Sequence, residues 1–271
     1  MQSSPCADLI DAFCEYHRIR GHSPRTLHHH RALLSRVDRE LPAGLCATSD
    51  EIRAWLYRDT LAQNTRASYY SSLATFYRWA VGRPGGLSLN PMADLPAPAW
   101  RRGRPRPLRS WQLERILNAA VDPYRLWALL AVGLGARCIE ISRLDRQDID
   151  VDTTYLHGKG DRYRTVPTHP AVWDAVRGLP RGPIARTTTG VRANPRYISA
   201  MASRYFHDKL GLPVTMHHLR HTYGTLVQRA TGDLRITQEL LGHAKPETTA
   251  LYTEVSGEAK AAAVARLALP V

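Results

Sequence analysis

A segment rich in proline and arginine, residues 83–107, does most to limit what this chain can fold into. It contains six prolines and three glycines. Because proline fixes φ and lacks a backbone N–H, no long helix or strand can run through it, and we expect a linker between two domains. Five arginines crowd its carboxyl end: Arg101, Arg102, Arg104, Arg106 and Arg109. Such a run fits a phosphate backbone, although a solvated linker that binds nothing remains an alternative.

The residues before the linker have the pattern of an all-α domain. Ser23 precedes Pro24, and Thr48 lies three residues before Glu51, as in a capping box. Apolar residues then recur at helical spacing. The sequence predicts four helices in residues 1–82, at 7–20, at 24–41, after 48 and after 64. Three consecutive histidines, 28–30, splay around the second helix, so we expect a solvated or DNA-facing surface there and no metal site.

The residues after the linker, 108–255, combine helices with short strands. Segments 149–151, 154–157 and 164–167 alternate like strands, and the last two flank a turn with two glycines. Helices are predicted at 110–120 with Ser110 as the cap, 122–134, 138–144, 170–177, 195–210, 215–228, 233–241 and 246–255. The expected fold is mainly α with a small antiparallel sheet: a four-helix domain, then an α+β domain, then a helical tail at 256–271.

The charge of the chain indicates its partner. A net charge of +13 favours a polyanion, and nucleic acid is the first choice. No apolar run reaches membrane-spanning length, and the first eight residues lack the layout of a signal peptide. The cysteines show no metal-ligand or redox spacing: Cys6, Cys14, Cys46 and Cys138. We therefore expect reduced thiols in a cytoplasmic protein that has no membrane partner.

The helix that follows Thr215 carries the most suggestive side chains. Helical spacing places His217, Arg220 and His221 on one face. Leu219, Tyr223 and Leu226 are expected to form its buried stripe. A guanidinium beside an imidazole suits a phosphate, because arginine offers a fork of donors and histidine titrates near neutral pH. Taken alone, the segment fits a solvated polar face equally well.

Five residues elsewhere have both an ordinary and a chemical interpretation. Arg137 and Glu140 have the spacing of a surface ion pair, worth under about 1 kcal/mol. Lys159 lies between two glycines at a turn. His243 follows a Leu-Gly pair that ends a predicted helix, and Tyr252 is one of 12 tyrosines. For each of these residues taken alone, an ordinary structural or surface role is the better interpretation.

Together and in order, these residues resemble the tyrosine recombinase (phage integrase) family of site-specific DNA recombinases. From Arg137 to Tyr252 the six candidates are separated by 22, 58, 3, 23 and 9 residues. The matching stretches are Gly135–Leu144, Gly158–Pro167, His217–Thr222, Leu241–His243 and Thr248–Tyr252. The resemblance spans about 108–255, and the helical front domain fits the family's core-binding domain (SAM-like).

The resemblance implies a catalytic role for each candidate. Tyr252 would be the nucleophile, forming a 3′-phosphotyrosyl link. Arg137 and Arg220 would neutralise the phosphate, with hydrogen bonds from His243. Further roles fall to Lys159 (proton donor to the leaving 5′-oxygen), His217 (proton acceptor), Glu140 (orienting Arg137) and His221 (support from behind). No cofactor or energy source is implied, since the covalent link conserves the bond energy.

The resemblance also implies an assembly: a homotetramer on two specific double-stranded DNA sites, exchanging strands through a Holliday junction. The tail 256–271 would dock on a neighbouring subunit or pack on its own. An accessory directionality protein is a further expected partner. We expect a compact integrase of a phage or mobile element, with a resolvase-type recombinase for replicon dimers as the alternative.

Three other functions stay in view. A DNA-binding relative that no longer cuts would lack a reason to keep all six residues. A relaxing topoisomerase would act without paired sites. A zinc site at His217, His221 and His243 has a partly suitable spacing, but Arg220 intervenes and the carboxylate of the zinc hydrolase pattern is missing. We therefore expect no metal.

Overall fold

The computed structural model describes residues 5–83, 85–101, 106–158, 160 and 162–242. Several predicted features lie outside the described residues: the site residues Lys159, His243 and Tyr252, the linker residues Arg102 and Arg104, the helix at 246–255 and the tail at 256–271. The chain divides into two compact units, Met1–Gly103 and Arg104–Val271.

The described residues of the first unit form four α-helices. They are α1 (Pro5–Ile19), α2 (Pro24–Glu40), α3 (Ser49–Leu56) and α4 (Gln63–Ala80). Ser23 caps α2 at the predicted place by accepting a hydrogen bond from the Thr26 N–H. Thr48 and Glu51 form the predicted capping box at α3. The core between the helices contains Phe13, Leu34, Ile52, Leu73, Phe76 and Tyr77, all fully buried.

Residues 87–101, which the sequence assigns to the linker, pack along this unit. Met92 and Leu95 are buried in its core. The Tyr70 hydroxyl donates to the Leu95 carbonyl at 2.7 Å. The Asn64 side chain pairs with both backbone groups of Arg101, at 2.8 and 3.0 Å. Side-chain bonds therefore satisfy a stretch of backbone that its prolines keep out of regular structure.

The second unit has seven described helices and one hairpin. The helices are α5 (Ser110–Ala119), α6 (Tyr124–Gly133), α7 (Cys138–Arg143), α8 (Pro170–Val176), α9 (Pro195–Leu210), α10 (Met216–Thr231) and α11 (Leu234–Leu241). The hairpin strands β1 (Thr153–His157) and β2 (Tyr163–Pro167) pair antiparallel, with Leu156 opposite Arg164. The predicted fold class, mainly α with a small antiparallel sheet, is confirmed.

Helix α6 is the centre of this unit. Six consecutive residues of it, 126–131, are buried, so it is apolar on every side, as expected for a helix enclosed by others. Helix α10 packs along it, with Leu219 fully buried. The chain leaves α6 at Gly133 and turns directly into the stretch that carries Arg137. The packing of α6 against α10 therefore brings Arg137 and Arg220 to one place.

Four local predictions were wrong. Arg109 occupies the cap position of α5, so Ser110 is its first helical residue. In the segment 149–151, Ile149 forms only an isolated bridge to Thr154 and no strand. Leu226 is 44% exposed, because α10 turns that face away from α6. His30 is buried against Phe13 and does not lie on the surface.

No helix among the described residues is long and apolar enough to cross a membrane.

Candidate active site

A glycine turn begins the site. Gly135 has φ +59°, and a Cβ at this position would overlap the ring of Tyr223, so both conformation and space require glycine. The turn leads into α7, where the Glu140 carboxylate accepts a hydrogen bond from the Arg137 N–H at 2.7 Å. The start of α7 thereby fixes Arg137 against Glu140.

Three arginines surround the Glu140 carboxylate, which is 1% exposed. Arg137 contacts one carboxylate oxygen at 2.9 Å. Arg164 contacts both oxygens, at 3.1 and 2.9 Å. Arg220, itself 4% exposed, lies 3.7 Å from the second oxygen. Three cations around one anion leave this part of the protein with an excess of positive charge.

The pKa of Glu140 reflects these neighbours. Burial alone would raise this pKa, because it disfavours the charged form. The hydrogen bond and charge of Arg164, the Arg137 N–H and the charge of Arg220 act in the opposite direction, and the pKa lies below its ordinary value. Glu140 is therefore a fixed anion at neutral pH and not a proton carrier.

The carboxyl end of α11 closes the site from the other side. Three consecutive carbonyls there accept hydrogen bonds from the same three arginines. The pairs are Leu240 with Arg164, Leu241 with Arg220, and Gly242 with Arg137, the last at 3.2 Å. The end of a helix carries partial negative charge, which favours cations at this position. In sequence, the next residue is His243.

Two histidines extend the site along α10. The rings of His217 and His221 meet edge to face, with centroids 4.2 Å apart. Desolvation lowers the pKa of His217, and the charges of Arg220, His218 and Arg137 lower it further. Desolvation, then His217, His218 and Arg220, lowers the pKa of His221 to about 4. Both imidazoles are therefore neutral at pH 7, and a neutral imidazole can accept a proton.

The base of the β1–β2 hairpin is braced against α7. Arg143 donates to the Gly158 carbonyl and lies 3.2 Å from His157 Nε2. The His157 ring stacks on Tyr163, with centroids 4.3 Å apart. These contacts hold the two residues that flank the turn in which Lys159 occurs.

The described part of the site brings Arg137, Glu140 and Arg220 together, with His217 and His221 beside them. Arg101 and Arg106 are exposed, in separate units. Among the described residues, no group of three or more His, Cys, Asp or Glu side chains lies within reach of one metal ion.

Arg164 belongs to the site but was not among the residues predicted from the sequence. The signal was its strand position: Arg164 lies two residues before Val166, so alternation turns both towards the core. An arginine at an inward position needs a buried anion, and Glu140 is that anion.

The sequence is similar to those of tyrosine recombinases. The model of the phage integrase family matches residues 106–258. Tyrosine recombinase XerC of Mycobacterium sp. (strain JLS) is 34% identical over 283 residues, which cover 92% of this chain and 94% of that protein. XerC of Rhodospirillum centenum is 34% identical over 280 residues, which cover 88% and 80%.

Among solved structures, the fold is similar to a lambda integrase tetramer bound to a Holliday junction. The TM-score is 0.75 at 21% identity, covering 92% of this chain and 79% of that one.

Proposed function

The chain belongs to the phage integrase family of tyrosine recombinases, and we propose that it cuts and rejoins DNA at specific sites through a covalent bond to Tyr252. The observation that carries this proposal is the convergence of Arg137 and Arg220 on one buried carboxylate. These arginines come from distant parts of the chain, and both are held by protein groups on one side. A pair of fixed guanidiniums is what a phosphodiester needs, because charge grows on its non-bridging oxygens during attack.

In the proposed step, the Tyr252 hydroxyl oxygen bonds to phosphorus and the bond to the 5′-oxygen breaks. The phenolic proton passes to His217, and Lys159 gives a proton to the leaving 5′-oxygen. His243 donates a hydrogen bond to the phosphate. Resealing reverses the step, with the 5′-hydroxyl of another strand as the attacking group. No cofactor takes part.

The neutral state of His217 at pH 7, which follows from its lowered pKa, supports its role as proton acceptor. A phenol with a pKa near 10 is mostly protonated at pH 7, and forming a full phenolate first would cost roughly 4 kcal/mol. A neutral imidazole that takes the proton as the bond forms avoids that cost. In this assignment Glu140 orients Arg137, and His221 supports His217 from behind through the ring contact.

A nicked suicide substrate tests the covalent step. Cleavage near the nick releases a short fragment, so the protein stays attached to the DNA. We expect a denaturant-resistant adduct with the wild type and with Tyr155→Phe, a matched control on the exposed face of β1, but none with Tyr252→Phe. DNA binding without an adduct in the wild type would instead support a binding protein that does not cut.

A supercoiled plasmid separates recombination from simple relaxation. A topoisomerase would relax plasmids of any sequence, whereas we expect the products of this protein to require two recombination sites. Relaxation without such sites would favour the topoisomerase.

We propose further that the protein acts as a homotetramer on two duplexes and resolves a Holliday junction. The first unit would be the core-binding domain and the second the catalytic domain. The linker arginines, Arg101, Arg102, Arg104 and Arg106, would contact phosphates, and the tail 256–271 would dock on a neighbouring subunit. Crosslinking on a synthetic four-way junction tests the stoichiometry.

The relatives shift the expected biological role. The sequence alone predicts the integrase of a mobile element, with a resolvase of replicon dimers as the alternative. The relatives named XerC match nearly the whole chain at 34% identity, whereas the likeness to lambda integrase lies in the fold. We therefore propose the resolvase-type role.

Plasmids with two directly repeated sites test this role. We expect resolution of such plasmids without an accessory protein. Efficient joining of two attachment sites that requires a directionality protein would restore the integrase.

A further inference from the structure

The guanidinium of Arg164 is bonded mainly to other groups of the protein. Its side chain is 13% exposed. Besides both oxygens of Glu140, it bonds the Gly135 carbonyl at 3.1 Å and the Leu240 carbonyl. An arginine has five N–H donors, so these four bonds leave little of the guanidinium for a substrate.

These bonds join three segments that carry proposed catalytic residues. Arg164 lies on β2, which leaves the turn containing Lys159. Gly135 lies in the turn that leads to Arg137. Leu240 is in the last turn of α11, three residues before His243. One side chain, that of Arg164, thus connects the hairpin to both the start of α7 and the end of α11.

Gly242 shows how closely the end of α11 packs against Arg164. Gly242 ends α11 in the left-handed region, with φ +59°. A Cβ built at this position would lie 2.6 Å from Arg164 Cδ and 3.2 Å from its Nε. The end of α11 therefore reaches its observed place only because residue 242 has no side chain.

Arg164 also determines which arginines contact the Glu140 carboxylate most closely. A buried carboxylate draws the nearest cations to itself, because an uncompensated charge in the interior is costly. The Arg164 guanidinium engages both oxygens, while the Arg137 guanidinium engages one and Arg220 stays 3.7 Å away. Without Arg164, the arginines assigned to the phosphate would become the main partners of Glu140.

We propose that Arg164 is a positioning residue of the recombination reaction. It fixes the Gly135 turn, Glu140 and the end of α11 in one arrangement, and it thereby sets where Arg137 and Arg220 meet the scissile phosphate. This inference rests on the proposed function and adds to it a residue that does not touch the DNA.

The test compares two substrates. One suicide substrate has a normal scissile phosphodiester, and the other has a methylphosphonate, in which a methyl group replaces one non-bridging oxygen and removes the negative charge. The variant is Arg164→Lys, which keeps the charge but cannot span both oxygens of Glu140 and two carbonyls. Arg177→Lys is the matched control, since Arg177 is exposed and pairs only with exposed Asp174 among the described side chains.

On the phosphodiester, we expect Arg164→Lys to cleave about a hundredfold more slowly, because misplacing a binding group by about 1 Å has that effect. DNA affinity should stay within about threefold, as no phosphate contact is lost. The methylphosphonate needs less charge neutralisation, so the wild type and the variant should cleave it at rates within about threefold of each other. Arg177→Lys should match the wild type on both.

The other outcomes are decisive. Equal defects on both substrates would show a merely structural role for Arg164, and no defect on the phosphodiester would remove any role. If the wild type forms no adduct on either substrate, the proposed function itself fails.

Should Arg164→Lys not fold, Arg164→Ala with added methylguanidinium replaces it. A guanidinium ion in the vacated space should restore phosphodiester cleavage, and no restoration would overturn the proposal.

Discussion

The two units differ in how they bury ionisable side chains. In the second unit, buried Glu140 and Arg220 are charged, and each has charged or carbonyl partners. In the first unit, His17 and His30 are buried with three ring nitrogens that have no hydrogen-bond partner among the described residues. A buried charge persists only with compensation, whereas a histidine can enter a core by staying neutral. We call Glu140 with Arg137, Arg164 and Arg220 the compensated cluster, and its buried charges indicate function. The histidine pair instead indicates a core whose stability depends on pH.

Disruption of the compensated cluster should have the largest effect on stability. Glu140→Gln removes the anion and leaves the buried guanidinium of Arg220 and the largely enclosed guanidinium of Arg164 without it. We expect a loss of about 3–5 kcal/mol in the stability of the second unit. Hydrogen exchange, followed by mass spectrometry, should show lost protection in α6 and α10 while α2 stays unchanged.

Glu114→Gln, on an exposed position of α5, is the matched control and should change stability by less than about 0.5 kcal/mol. Unchanged protection of α6 and α10 in Glu140→Gln would mean that the cluster contributes little to this unit.

Two glycines of the second unit separate the effect of backbone strain from that of contact with Arg164. Gly211 and Gly242 both end helices in the left-handed region, but only Gly242 has Arg164 beside it. Alanine at Gly211 should cost about 1–2 kcal/mol, from backbone strain alone. Alanine at Gly242 should cost more and should also slow strand cleavage at least about tenfold. Equal effects of the two substitutions on cleavage would contradict the close fit at Arg164.

The histidine pair of the first unit should respond to acid. Desolvation, followed by the charges of His17, His29 and His22, lowers the pKa of His30 to about 4. The unfolded chain, with a pKa near 6.5, therefore binds the proton first. Stability is complete above about pH 6.5 and falls as the pH drops to about 4, by about 2 kcal/mol at pH 5.

His30→Leu should flatten this pH dependence in the hydrogen exchange of α2, and exposed His28→Leu should not. An unchanged profile in His30→Leu would assign the acid sensitivity to other groups.

The smallest expected effect lies on the surface of the first unit. Thr48→Ala removes the cap of α3 and should lower the stability of this unit by about 1 kcal/mol in urea denaturation. Thr48→Ser keeps the hydroxyl and should lose only a few tenths. A full loss in Thr48→Ser would show that the methyl group, and not the cap, matters.

Features that depend on near neighbours in sequence were predictable. The Thr48–Glu51 box, the hairpin and the Arg137–Glu140 contact each join residues close along the chain. Arg164 was missed because its partners Gly135 and Leu240 lie 29 and 76 residues away. The burial of His30 depends on Phe13 of another helix, and the exposure of Leu226 depends on which face of α10 meets α6. A pattern along one segment cannot supply these facts.

Identifying the residue that bonds to DNA is the most direct test of the central claim. The wild type, trapped on a suicide substrate, is digested with trypsin and its nucleotide-bearing peptide is sequenced by mass spectrometry. Cleavage after Arg235 and Lys260 yields the peptide 236–260, in which Tyr252 is the only tyrosine. We predict a 3′-phosphate ester on Tyr252. Nucleotide on any other residue, or no covalent product from cleaved DNA, would contradict the account.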